Sequence, residues 1–133
     1  MAVYLLCSCL VSCSAGNRDM QHQRYVEIRK LIKHNLHLSG HLVFAVDTRT
    51  VAAVRKQVTQ SDIPVLIALL SDQENVVGIG AQHVLETFGT AALPGLEKVA
   101  IASDFNASMK AREAIAAIKS TSTATPGADH RQD

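Results

Sequence analysis

The same run of helix signals occurs twice between residues 61 and 119, at an offset of about 30 residues. Ser61-Asp62-Ile63-Pro64 supplies polar cap candidates and then a proline in the first turn, where the missing N–H costs nothing. Ile63, Leu66, Ile67 and Leu70 follow at helical spacing. Ser71-Asp72-Gln73-Glu74-Asn75 is a polar turn and a new cap. A second helix is expected from Val76 to Phe88, with Val77, Gly80, Ala81, Val84, Leu85 and Phe88 inward and Gly89 as its stop. Ala92-Leu93-Pro94 opens the pattern again. Leu93, Leu96, Val99 and Ala100 form a stripe, a turn falls at Ser103-Asp104-Phe105-Asn106, and a helix runs to about Lys119 with Ala111, Ala114, Ile115 and Ile118 inside. Ile63 maps onto Leu93, Leu66 onto Leu96, Leu69 onto Val99, Ala81 onto Ala111 and Leu85 onto Ile115. A period of this size marks two-helix units that bury their apolar faces only by stacking on neighbours, about three units being needed for stability.

Upstream, residues 20–38 read as a helix with Tyr25, Ile28, Ile32 and Leu36 on one face, while Arg24, Lys30, Lys33 and His34 point elsewhere. Ser39-Gly40 ends it. The apolar run at residues 41–46 fits a helical turn or an extended segment equally well. Asp47 or Thr48 caps a further helix to about Gln60, with Val51, Val54 and Val58 together. Residues 61–119 resemble HEAT-like repeats, which read x-Pro-x-Leu-x-x-Leu-Leu-x-Asp in a first helix and Val-x-x-x-Ala-x-x-x-Leu in a second. Here these are Ile63-Pro64 to Asp72 and Val77, Ala81, Leu85. The family often carries an Arg after the Val that opens the second helix; this chain has Val77 after Val76. The resemblance implies an all-α fold, a short right-handed α-α superhelix, with residues 20–60 as a degenerate unit and N-terminal helical cap. Composition agrees. With no Trp and 4% aromatics, the core is built of Ala, Val, Leu and Ile, which favours packed helices over a β-sandwich.

The start of the chain, Met1–Ser14, is of another kind. An apolar stretch ends at Leu10-Val11-Ser12-Cys13 and turns polar at Gly16-Asn17-Arg18-Asp19. It is shorter than the roughly 20 residues that span a bilayer and has the length of a signal-peptide core. Leu10–Cys13 resembles the lipobox of bacterial lipoproteins. That resemblance implies a signal peptide at residues 1–12, lipidation of Cys13, a tether at 13–19, and a protein held in the bacterial cell envelope facing the periplasm. No Lys or Arg precedes Arg18, a departure from the charged start of such signals; an uncleaved apolar helix packed on the domain is a second reading, and a Cys-x-Cys-x3-Cys metal cluster, with no local His or acidic partners, a third. All three cysteines, Cys7, Cys9 and Cys13, lie in this stretch, so cleavage leaves one thiol for acylation and no disulfide framework.

The net charge of +1 hides an asymmetry: residues 18–60 carry eight basic against three acidic side chains, and residues 61–119 four against seven. A lipid followed by a basic segment is a two-signal membrane attachment; a solvated helix face is the plainer reading. No nucleic-acid motif or stacking aromatic array accompanies the basic residues.

Candidate chemistry is sparse. His34, His37 and His41 give His-x2-His-x3-His, and the first two share a helix face, but Gly40 interrupts the set. Solvated histidines are the better reading, and His83 reads as a core-boundary residue. Asp72, Glu74 and Asp104 sit in turns, where they act as caps. Gly78-x-Gly80 lies inside a helix and serves close packing rather than phosphate binding. No nucleophile–base pair, metal or cofactor is expected. The expectation is therefore a membrane-anchored scaffold that binds another protein, an envelope component or a toxin, and no nucleic acid. The alternatives are an enzyme or enzyme subunit of the HEAT-like phycobilin-lyase type, or metal binding through His34, His37 and His41. Residues 120–133 are polar and low in complexity, and read as a disordered tail.

Overall fold

The computed structural model describes residues 8–38 and 47–123, with side chains in the first segment described from Gly16 to Asn35. The described residues form six helices and no strand: α1 (Ser8–Leu38), α2 (Thr48–Arg55), α3 (Ile63–Leu69), α4 (Asn75–Glu86), α5 (Leu93–Ala100) and α6 (Phe105–Thr123). The all-α class is as expected. Segment 41–46, Leu36's side chain and residues 124–133 lie outside the described set.

The helix starts follow from local chemistry. Asp47 caps α2 by accepting a bond from the Arg49 amide at 3.2 Å. Short 3-10 turns at Gln60–Asp62 and Gly89–Ala92 lead into α3 and α5, each with its proline in the first turn. Asp104 Oδ1 accepts from the Ala107 amide at 3.1 Å and satisfies an orphan donor of α6. Gly89 is at φ +59°, the only positive φ among the described residues. A Cβ there would meet nothing within 4 Å, so the conformation alone demands glycine. Gly89→Ala is expected to cost about 1 kcal/mol in urea unfolding, the penalty of the left-handed region for an L-residue.

Two hairpins, α3–α4 and α5–α6, repeat one design. Helix α3 begins at Ile63 and α5 at Leu93; α4 begins at Asn75 and α6 at Phe105, so both pairs of starts share one offset. Burial follows the same register: Leu66 and Leu96, Leu70 and Ala100, Val77 and Ala107, Ala81 and Ala111, Val84 and Ala114 are all buried. Helices α1, α3 and α5 pack in sequence along one side, and α2, α4 and α6 along the other, with α1 also touching α4. One apolar core runs through both layers, from Ile28 and Ile32 to Ile118.

Three boundaries differ from the sequence reading. Residues 14–19, read as a tether, continue α1 as helix. Helix α2 stops at Arg55 rather than near Gln60, because the amides of residues 56 and 57 already bond back to close the last turn, and Val58 reaches the core from the loop beyond. Helix α6 continues past Lys119 to Thr123, where Ser120, Thr121, Ser122 and Thr123 hydroxyls bond to carbonyls one turn back.

Candidate functional site

Three basic residues of α1, Arg24, Arg29 and Lys33, reach across to the carboxylates that flank α3. Arg24 forms a two-pronged bond to Asp62, with Nε donating to Oδ1 at 2.8 Å and Nη2 to Oδ2 at 2.9 Å, and Nη2 also donates to the Gln57 carbonyl at 2.9 Å. One turn on, Arg29 Nε donates to Asp72 Oδ2 at 2.7 Å and Nη2 to Glu74 Oε1 at 2.6 Å. Lys33 Nζ donates to the same Glu74 oxygen at 2.8 Å, and the Tyr25 hydroxyl donates to Asp72 Oδ2 at 3.0 Å. Asp62 and Asp72 side chains are only 8% and 4% exposed, so these are part-buried, charge-assisted pairs rather than surface decoration.

Each carboxylate responds. The Arg24 bond, opposed by burial, holds Asp62 below the usual carboxylate range. Burial works against Asp72, but Arg29, the Glu74 amide and Tyr25 outweigh it and lower its pKa. Lys33 and Arg29 lower Glu74. Burial and the bond to Asp72 raise Tyr25. The arrangement is an electrostatic clamp fixing α1 to the α3–α4 hairpin. It corrects the reading of Arg24 as part of a solvated face; Lys33 stays exposed while paired, and Asp72 is both a partner of Arg29 and the turn cap expected of it, accepting the Glu74 amide at 2.9 Å. The basic half and the acidic half of the chain partly neutralise each other across one internal contact.

A groove of about 590 Å³ lies between α2 and α4, lined by Thr48, Val51, Ala52, Arg55, His83, Glu86 and Thr87. Val51 and Ala52 stand along α2 one turn from Arg55, because α2 turns Thr50 and Val54 into the core. The Arg55 guanidinium lies 4.0 Å from the Phe88 ring centroid and donates to the Val58 carbonyl at 3.1 Å. Opposite, His83 Nδ1 meets Glu86 Oε2 at 3.0 Å. That bond raises the His83 pKa, burial opposing it. Gln82 Nε2 donates to both Glu86 and Glu113, each at 3.2 Å, and ties α4 to α6.

The Thr87 hydroxyl is committed to the Val84 carbonyl at 2.6 Å and that of Thr48 to Asp47 at 3.3 Å, so neither hydroxyl is turned toward His83. A nucleophile needs its base within hydrogen-bond reach, and these hydroxyls point into other acceptors. Smaller grooves lie between α1 and α2, about 530 Å³ and lined by Glu27, Lys30, Leu31 and His34 among others, and between α1 and α3, about 300 Å³.

Cys13, the residue singled out for lipidation, lies within the α1 backbone, its side chain outside the described set. His34 is exposed on α1; the His37 side chain and His41 are outside the described residues. Among the described residues no group of three or more His, Cys, Asp or Glu is placed to hold a metal ion, and no helix is long and apolar enough to cross a membrane. His83, read as a boundary residue, is half-buried in the groove wall. Sequence reasoning missed the groove because its walls, α2 and α4, are not neighbours along the chain: the whole of α3 lies between them. No family model, curated protein or solved structure matches this chain.

Proposed function

We propose that this chain is a membrane-anchored helical-repeat scaffold of the HEAT-like kind, which binds another protein through the α2–α4 groove and performs no catalysis. In this reading acylation of Cys13 on Leu10-Val11-Ser12-Cys13 holds it in the cell envelope, facing the periplasm. The observation that carries the binding role is the groove itself. It is open, walled by Val51 and Ala52, and edged by polar groups already fixed in place: Arg55 on Phe88, and His83 on Glu86. A rigid surface of this kind loses little conformational freedom on docking, so more of the contact energy appears as affinity. Stacked helical units also present extended surfaces suited to a protein rather than to a small molecule.

The test is site-directed photo-crosslinking in the envelope of the producing cell. A photoreactive residue at Val51 is expected to capture one defined protein, and Ala52→Arg in the same chain to reduce that adduct at least about tenfold by filling the groove with a charged side chain. Helix content should not change, since Ala52 is exposed. An adduct indifferent to Ala52→Arg, or none at all, refutes the groove as the binding site. Anchoring is read separately: Cys13→Ala, or inhibition of the lipoprotein signal peptidase, should move the protein from the membrane to the soluble fraction. Unchanged fractionation refutes the lipid anchor.

A further inference from the structure

Helices α1 and α2 treat their basic side chains differently. Arg24, Arg29 and Lys33 of α1 each meet a carboxylate from the flanks of α3. Residues 47–56, which form and cap α2, hold Arg49, Arg55 and Lys56 against one acid, Asp47. None of these three cations forms an ion pair with a described residue. Asp47 is occupied by the Arg49 amide at 3.2 Å and the Thr48 hydroxyl at 3.3 Å. Arg55 lies on the Phe88 ring and donates to the Val58 carbonyl, which leaves most of its N–H groups without an acceptor among the described residues.

These cations border the α2–α4 groove. Arg55 lines it together with Val51 and Ala52. Arg49 and Lys56 stand one turn before and one turn after Ala52 on the same stripe of the helix, and both are exposed. They lie about 10 Å apart along the helix axis, with Ala52 between them. Across the groove, the carboxylate in the α4 wall is Glu86, already bonded to His83 at 3.0 Å and to Gln82 at 3.2 Å. The groove thus joins an apolar floor to a rim of unpaired positive charge, while the acids beside it already have their donors.

We infer that the groove receives an acidic segment of the partner protein, which lays an apolar side chain on Val51 and Ala52 and sets carboxylates against Arg49, Arg55 and Lys56. This rests on the groove being the binding site. A protein segment suits it better than other polyanions do. A bilayer presents a broad surface and does not enter a groove between two helices. Nucleic acid held without a sequence motif stacks its bases on exposed aromatic faces, and the Phe88 face is covered by Arg55. Two carboxylates two turns apart on a partner helix match the separation of Arg49 and Lys56, and place an apolar residue between them over Ala52.

The test uses the full chain with the photoreactive residue at Val51, in envelopes of the producing cell. The double reversal Arg49→Glu with Lys56→Glu should lower the yield of the protein adduct at least about tenfold, and raised salt should lower the wild-type yield in the same sense. Both side chains are exposed and make no ion pair, so the melting temperature should not move. Lys98→Glu, on exposed α5 surface away from the groove, should leave the adduct unchanged. Mass spectrometry of the crosslinked peptide should show Asp or Glu flanking the captured residue, and changing those acids to Lys should restore capture by the doubly reversed chain. Ala52→Gln narrows the groove without altering its charge and so reads the groove by itself. An adduct lost with Ala52→Gln but indifferent to salt and to the reversal leaves the groove standing and overturns its acidic occupant. So does an adduct on lipid or nucleic acid, or a crosslinked segment without carboxylates. No adduct at all removes the groove and this inference together.

Discussion

Asp62→Ala is expected to lower the unfolding free energy by about 2–3 kcal/mol and the melting temperature by roughly 6–12 °C. The carboxylate accepts two bonds from Arg24 and two from Thr59, the amide at 2.8 Å and the hydroxyl at 3.3 Å. It therefore holds α1 and starts the turn into α3 at once. Removing it strands a guanidinium and frees a backbone amide. Breaking a fully buried pair typically costs about 3–5 kcal/mol; Arg24 retains water contact, and its rehydration returns part of that. The effect carries a pH signature of definite sign. The Asp62 pKa is lower in the folded protein than its ordinary value of 3.8, so the folded state holds the proton less tightly than the unfolded state. The stabilisation is complete above the ordinary value and is lost as pH falls through the lowered one. Asp72 and Glu74 are lowered in the same direction, so the whole clamp on α1 weakens in that acid window. Urea unfolding of the wild type and Asp62→Asn, followed by circular dichroism, checks this. The difference between them should be large at neutral pH and shrink below about pH 3.8. A difference that does not change with pH would mean that the contact is not ionic.

Leu66→Ala is expected to cost about 3 kcal/mol, and its counterpart Leu96→Ala about 2 kcal/mol. Both side chains are fully buried, and the loss combines the transfer energy of the deleted atoms with the cavity left behind. What separates them is position. Helix α3 is held between α1, α4 and α5, so the space left by Leu66 is walled on all sides and collapses little. Helix α5 packs on α3 and α6 and has an open side, so its surroundings can close around a smaller residue. The comparison of the two denaturation midpoints is the measurement. Equal losses would show that the terminal hairpin is as rigidly enclosed as the inner one.

Much of the helical layout was legible. The prolines at 64 and 94 and the glycine at 89 have local meanings that no tertiary context overrides, and α3 to α6 begin within a residue or two of where these signals put them. The core was legible where periodicity was clean: Leu66, Val77, Ala81, Leu85, Leu96, Ala111 and Ala114 are buried as the spacing requires. Lys110 was not. A lysine among alanines reads as exposed, yet it is 7% exposed, with its stem lying over Gly78, where a Cβ would come within 3.0 Å of the Lys110 Cε. The packing role expected of Gly78-x-Gly80 is seen there: Gly78 admits both the Lys110 stem and the Leu70 carbonyl, which a Cβ would meet at 3.0 and 3.1 Å. The Lys110 bond to Leu70 ties the two hairpins in a chain that lacks the arginine seen at the second-helix start of HEAT-like repeats.

The candidate site was less legible, for a related reason. Val51, Val54 and Val58 read as one face of a short helix, and His83 as a boundary residue of another; neither reading mentions the other helix. The boundaries of α1 and α6 were misplaced because polar residues do not end a helix by themselves. Residues 14–19 continue α1, and the Ser and Thr of 120–123 return their hydroxyls to carbonyls a turn behind, which lets α6 continue.

Caps, prolines, glycine and apolar spacing act within a turn or two, and for that reason the chain alone determined an all-helical fold, a design of two hairpins at one fixed offset, and most of the core. Charge is different. An arginine on a helix face looks the same in sequence whether it meets water or a carboxylate 38 or 43 residues away. Only the packing of α1 on the α3–α4 hairpin decided that Arg24, Arg29 and Lys33 meet carboxylates rather than water alone, and only the approach of α4 to α2 formed the groove between them.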